Sequence, residues 1–143
     1  MRRASGVQSE DRAGGGDRRV SRVPELDRVV IRLSTGEELE CRVARSFISR
    51  LVGLLGTDAR LVAGEPVVFP RCRSVHTLGM SYPIDVAFLD DSGRVLLSRR
   101  HMPPASVVGC PGAAMAIERP SSGAAWPVCG EMLDVSAIVS HVV

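Results

Sequence analysis

The residues best equipped for chemistry in this chain cluster between Cys72 and Asp85, with one more carboxylate downstream at Glu118. Cys72 and His76 stand in a Cys-x-x-x-His arrangement. Such a pair can act as a thiol nucleophile with its base, or as half of a zinc site. Zinc would need two more ligands. Cys110, Cys129, His101 and Glu118 could supply them, but no second close pair accompanies the first. No metal site is therefore assigned, with Cys72 and His76 as the only candidates. The default for Cys72 is a small buried apolar side chain. Met80, between Gly79 and Pro83, is either a packing residue or part of an adaptable binding surface.

Asp85 is the more pointed signal. In the run Ile84 to Leu89, Ile84, Val86 and Phe88 share one face of a strand, and Asp85, Ala87 and Leu89 share the other. Both faces are apolar, which predicts a central strand with Asp85 facing inward. A carboxylate there needs donors, or its pKa rises. Thr77, His76, Arg50 and nearby backbone N–H groups are the candidate donors. Asp85 either pins the loop Thr77 to Pro83 onto the strand or serves as a functional carboxylate. Glu118 closes the apolar run Ala113 to Ile117 on the same face as Ala114 and Ala116. It is either a surface charge at a strand end or a partner for Arg50.

These residues must be positioned by short elements. Arg28 to Leu33 alternates as a strand, a turn follows at Ser34 to Glu37, and Leu39, Cys41 and Val43 mark a second strand, together a hairpin. Ser46 to Leu55 reads as the one good helix: Ser46 caps it, Phe47, Leu51, Leu54 and Leu55 form a stripe, and Gly56 ends it. Further strands are predicted at 66–70, 74–77, 84–89, 94–98, 113–118 and 128–135, with a type I turn at Asp90 to Gly93. Many short strands and one helix predict a mainly β (α+β) domain, a compact rolled or barrel-like antiparallel sheet with the helix packed on it. Residues 1–24 are polar, charged and Gly-rich, which predicts a disordered tail ahead of a single domain over 25–143.

Composition narrows the function classes. Apolar residues make up 45% but aromatics only 3%, so the core is aliphatic. All 18 basic residues are Arg, which reflects a GC-rich coding bias. Up to Arg28 there are seven Arg against five acidic residues, and from Val29 onward eleven of each, so the folded part is neutral. A nucleic-acid domain normally shows a basic stripe, and the stacking aromatics of a single-strand binder are missing. No run approaches the ~20 apolar residues of a membrane span. The charged start Met1-Arg2-Arg3 is followed by polar residues and glycines, not by the apolar run of a secretory signal. A cytoplasmic location with four free thiols is expected. Phosphate-loop, nucleophile-elbow and dinucleotide fingerprints are absent.

One further pattern is distinctive. His76-Thr77-x-Gly79-Met80-x-x-Pro83-Ile84-Asp85-Val86-x-Phe88-Leu89-Asp90 is preceded by Gly53-Leu54-Leu55 and followed by Gly93-x-Val95 and Ala116-Ile117-Glu118 with Gly123. Between Arg45 and Leu133 the chain resembles the domain-of-unknown-function 192 family, a prokaryotic group. The resemblance implies a small β-rich domain with one short helix, no established activity, and Gly53, Met80, Asp85 and Glu118 as the shared core of any site. The expectation is thus a non-enzymatic binding or accessory module with an unknown protein or small-molecule partner, no nucleic acid and no cofactor. Its cluster comprises His76, Thr77, Met80, Asp85, Glu118 and Arg50. The alternatives are a hydrolase or transferase using Asp85 or Glu118 with His76 or Cys72, and metal or redox sensing through Cys72 and His76.

Overall fold

The computed structural model of the protein describes residues 27–44 and 64–138. The predicted tail 1–24 and the predicted helix Ser46 to Leu55, with Arg50 and Gly53, lie outside the described residues. Among the described residues there are eight strands: β1 (Asp27–Arg32), β2 (Glu38–Val43), β3 (Val67–Pro70), β4 (Ser74–His76), β5 (Ile84–Leu89), β6 (Val95–Met102), β7 (Val107–Gly109) and β8 (Met115–Pro120). Six of them form one sheet in the order β1-β2-β3-β8-β5-β6, and β4 pairs with β7 in a small second sheet. The molecule is mainly β, as the sequence predicts.

The large sheet departs from the expected roll in two ways. Its edges, β1 and β6, do not pair with each other, so it is open rather than closed into a barrel. It is also mixed, because β2 and β3 run parallel, with Arg42 opposite Val67. Parallel neighbours require a crossover, not a tight turn.

Alternation along each strand gives this sheet two buried faces. The back face carries Val29, Ile31, Leu39, Cys41, Val43, Val68, Ala87, Leu89, Met115 and Ile117, and is covered by Trp126, Leu133, Val135 and Ile138 from the C-terminal segment. The front face carries Val67, Phe69, Ile84, Val86, Phe88 and Ala116, and is covered by Val75 and Val108 of the small sheet together with Met80 and Met102. With 3% aromatic residues, this double core rests on aliphatic area, at about 25 cal/mol per Å2 removed from water.

Two connections fix the geometry. The β5–β6 turn is held by the Asp90 carboxylate, which accepts from Ser92 N–H (3.0 Å), Ser92 O–H (2.7 Å) and Arg94 N–H (2.9 Å). Gly93 completes it at φ +94°, where a Cβ would lie 2.0 Å from the Leu133 carbonyl oxygen. The second is a bulge in β6: Ile84 faces Met102 while Val86 faces Arg99, which leaves one extra residue on β6. His101 sits there at φ 55°, the left-handed conformation that releases a ladder N–H.

The predicted strand 128–135 is not one. Gly130 turns at φ 89°, and Glu131 draws Val128 N–H into a local bond (2.9 Å) while also accepting Ser34 N–H and O–H (2.6 Å each). Only an isolated bridge, Arg94 to Met132, remains of ladder pairing there. The segment still bonds to the start of β6 through its backbone, with Val95 N–H donating to Glu131 O (2.9 Å) and Gly130 N–H to Val95 O (2.8 Å), but the turn at Gly130 keeps it from running on as a strand.

Candidate functional site

The register of β5 on β8 decides which groups meet. Asp85 lies opposite Arg119 and Val86 opposite Glu118. Side chains alternate along both strands, so Asp85 and Arg119 point to the back face and Glu118 points to the front. The two carboxylates singled out by the sequence are separated by the sheet itself.

Asp85 is fully buried and its lone pairs are taken. Oδ1 accepts the N–H of His101 (3.0 Å) and the hydroxyl of Ser121 (2.9 Å). Oδ2 accepts Arg119 Nε (3.0 Å) and the N–H of Ser122 (3.4 Å), with an Arg100 guanidinium nitrogen at 3.9 Å. Burial alone would raise this carboxyl, but the bonds from His101, Ser121, Arg119 and Ser122 outweigh it and hold it below the ordinary aspartate range. Arg119 is equally committed: NH1 donates to Ala125 O (2.9 Å), NH2 to Ala124 O (2.8 Å), and the guanidinium lies 4.5 Å from the Trp126 ring centre. Arg100 adds bonds to Ser122 O and Ala124 O. Asp85 thus ties the β6 bulge and the 121–126 segment to the sheet. Its link to the Thr77–Pro83 loop is indirect, through Ser121, whose N–H donates to Pro83 O at 3.0 Å. The donors expected from sequence, Thr77 and His76, do not reach it among its bonds. Arg119, Arg100 and Ser121 were missed; an Arg–Pro–Ser–Ser run after an apolar strand was the available signal.

Glu118 presents the opposite situation. It is 8% exposed, lies between Val67 of β3 and Val86 of β5, and has no hydrogen-bond or ion-pair partner among the described residues. Burial pushes its carboxyl up to about 8. The surface-charge alternative fails because β8 runs on to Pro120 and is central, so residue 118 is flanked on both sides. The other alternative, pairing with Arg50, falls outside the described residues. Two cations share its row two strands away: Arg42 of β2, which pairs with Glu65, and Arg99 of β6, opposite Val86.

The remaining members lie on the front side. Met80 is buried against the front core with Ile84 and Met102. Thr77 is fully buried and joins two loops: its hydroxyl donates to Pro103 O (2.7 Å) and accepts Ser106 N–H (2.9 Å), while its backbone exchanges bonds with Ser106 and Ala105. His76 pairs with Val107, and its Nδ1 is buried without a hydrogen-bond partner. Cys72 Sγ lies 3.2 Å from Ser74 O. Cys110 is half-buried, Cys129 and His101 are exposed, and burial pushes the Cys41 thiol up to about 12, which leaves it inert. Among the described residues no three His, Cys, Asp or Glu side chains converge as a metal site would require, and no helix is long and apolar enough to cross a membrane.

Comparison with known proteins bears on the fold. The DUF192 family model, described as an uncharacterized ACR, matches residues 29–125. A crystal structure of a protein of unknown function from Novosphingobium aromaticivorans superposes with a TM-score of 0.60 at 17% identity, over 79% of this chain and 89% of that one. A proposed transcription regulator from Sinorhizobium meliloti superposes with a TM-score of 0.57 at 17% identity, over 77% of this chain and 95% of that one. No curated protein matches the sequence.

Proposed function

This chain belongs to the DUF192 family, an uncharacterised group that brings no reaction with it, and we propose that it is a non-enzymatic binding or accessory module whose ligand or protein partner is held on the front face at Glu118. One observation carries this reading: a nine-tenths buried carboxyl stands between two valines with no partner among the described residues. A buried carboxyl costs stability unless it is matched, and ionisable groups perturbed by burial concentrate at functional sites. A ligand that donates a hydrogen bond or a positive charge would complete it, with Met80 and the front core as the apolar surround. Asp85 supports the same reading from the other side, since its four accepted bonds fill the capacity of a carboxylate and leave it a role in the fold.

A regulator's contact with nucleic acid is not carried over from the Sinorhizobium protein: eleven Arg and eleven acidic residues from Val29 onward leave this domain neutral. The free thiols of Cys41, Cys110 and Cys129 favour a reducing, cytoplasmic setting.

A second reading has its own support. A carboxyl near 8 suits proton transfer at neutral pH, and the unpartnered Nδ1 of His76 lies on the same side of the sheet. The hydrolase or transferase alternative therefore rests on Glu118 with His76 or Cys72.

A thermal-shift screen of the full chain against small alkylamines and hydroxylated amines at pH 7, followed by mass analysis of the bound compound, separates the two. A compound that raises the melting temperature of wild type and of Asp85→Asn, but not of Glu118→Gln, and is recovered unchanged supports the binding module. Recovery of a converted compound transfers the site to the enzyme reading. Equal stabilisation of wild type and Glu118→Gln by every active compound removes Glu118 from the function.

A further inference from the structure

A concavity lies at the end of the large sheet where β3 and β5 finish and β8 begins. Three connections meet there: the link after β3 with Arg71 and Arg73, the β5–β6 turn with Asp91, and the link into β8 with Gly112, Ala113 and Ala114. Together they line a bowl of about 550 Å3, within the size range of small-molecule sites. The bowl is rigid because its connections are stapled to one another. Arg71 N–H donates to Ala114 O (2.7 Å), Cys110 N–H to Arg73 O (2.7 Å), Ala114 N–H to Leu89 O (2.8 Å) and Ala113 N–H to Cys110 O (3.0 Å).

Its charges are unspent. Arg71 and Arg73 are exposed, and neither guanidinium has a hydrogen-bond or ion-pair partner among the described residues. Every other acidic residue near this end is occupied: Asp90 is consumed by its own turn. Asp91 is the one carboxylate in the lining, and it forms no ion pair with either arginine. The wall between them is made of glycine and alanines, which lets a ligand approach the backbone closely. Arg71 also adopts φ 55°, a left-handed conformation uncommon for a residue other than glycine and of the strained kind that clusters at functional sites.

We infer that this bowl binds a small organic oxyanion bearing a hydroxyl or ammonium group, the oxyanion taken by the paired guanidiniums of Arg71 and Arg73 and the donor group by Asp91. Guanidinium forks match the geometry of phosphate and carboxylate oxygens. A bare oxyanion would face repulsion from Asp91, whereas one with a donor at its other end satisfies all three side chains. This site is independent of the front-face carboxyl.

The test is an amide NMR titration of the full chain at low ionic strength with glycerol 3-phosphate, inorganic phosphate and D-glycerate. Saturable shifts centred on Arg73 and Gly112 to Ala114 are expected, with glycerol 3-phosphate or D-glycerate binding more tightly than inorganic phosphate. Which of the two organic probes wins tells a phosphate site from a carboxylate site. Arg71→Gly and Arg73→Ala should each weaken binding by about tenfold, the scale of a lost charge-assisted contact. The glycine relieves rather than strains the backbone at residue 71, and unchanged melting temperatures confirm that both variants fold. Asp91→Asn should erase the advantage of the organic probes over inorganic phosphate. Non-saturating shifts for all three probes, or equal affinity in wild type and the Arg71→Gly/Arg73→Ala double variant, would overturn the assignment.

Discussion

Replacing Asp85 is the sharpest test of how the back face is held. Asp85→Ala removes the acceptor for four donors at once: His101 N–H, Ser121 O–H, Ser122 N–H and Arg119 Nε. The largest consequence falls on Arg119, which is 3% exposed and would keep its charge with no carboxylate beside it. Breaking a buried ion pair from one side costs about 3–5 kcal/mol. For a domain of this size that is roughly 10–20 °C in melting temperature. Asp85→Asn keeps the shape and one acceptor oxygen, so it should lose less. The double variant Asp85→Leu/Arg119→Met removes both charges and should be less destabilised than the sum of its single changes by about 1–3 kcal/mol. The pH dependence has a definite sign. The folded carboxyl lies below its unfolded value of 3.8, so its stabilisation is present above that value and is lost as pH falls through the folded pKa. Chemical denaturation of wild type and Asp85→Asn from pH 7 down to pH 2 should therefore converge at the acid end. A melting temperature for Asp85→Ala equal to wild type, or strict additivity in the double variant, would refute the argument that this carboxylate holds the bulge and the 121–126 segment.

Three other changes probe separate parts of the structure. Glu118→Gln should stabilise the protein increasingly as pH rises from about 4.5 to about 8, because over that window the unfolded carboxyl ionises while the buried one is held protonated. The gain, at about 1.4 kcal/mol per pH unit before the cost of a buried amide, should reach a few kcal/mol; urea melts at pH 4.5 and pH 8 that show the same gap between the two proteins would contradict it. Gly93→Ala adds a Cβ 2.0 Å from Leu133 O at φ +94°, and should cost about 2 kcal/mol or more through strain and a broken contact between the β5–β6 turn and the C-terminal segment, read as a lower melting temperature. Thr77→Val leaves Ser106 N–H and Pro103 O without the hydroxyl between them and should cost about 1–3 kcal/mol, with faster amide exchange at Ser106 as its local signature.

What the sequence made legible follows from periodicity. The hairpin of β1 and β2 was readable because its side chains alternate over six residues, long enough for a period of two to register, and the central strand β5 because a short run apolar on both faces ends at a turn signal. β7 has three residues and offers no period. β6 was expected to end at Ser98 because Arg99, Arg100 and His101 break the apolar pattern, yet the strand continues to Met102; polar residues suit an edge strand, and the bulge at His101 restores the register with Ile84. Residues 128–135 mislead in the opposite direction, since apolar residues there are placed by a carboxylate, Glu131, that no local pattern reveals. Openness of the sheet and the parallel step from β2 to β3 are matters of strand order and direction, which alternation within strands cannot encode.

The candidate site was legible in identity but not in arrangement. Asp85 was recognisable as an inward carboxylate within an apolar strand, whereas Glu118 read as the end of one and is buried because β8 continues past it. Whether they cooperate depends on one integer, the register of β5 against β8. Had Asp85 stood opposite Glu118, two buried carboxylates would have shared a face, one ionised and one protonated, as acid–base pairs do. The observed register, Asp85 opposite Arg119, sends them to opposite faces and gives them opposite electrostatic fates. Asp85 meets a guanidinium, a hydroxyl and two backbone N–H groups, and stays charged. Glu118 meets two valines, and burial holds it protonated until about pH 8. Two carboxylates are thereby divided by the sheet into one that secures the fold and one that the proposed function assigns to a ligand at the front face. A shift of register by one residue would bring both carboxylates to one face, so the pairing of β5 with β8 is the structural fact on which the functional proposal turns.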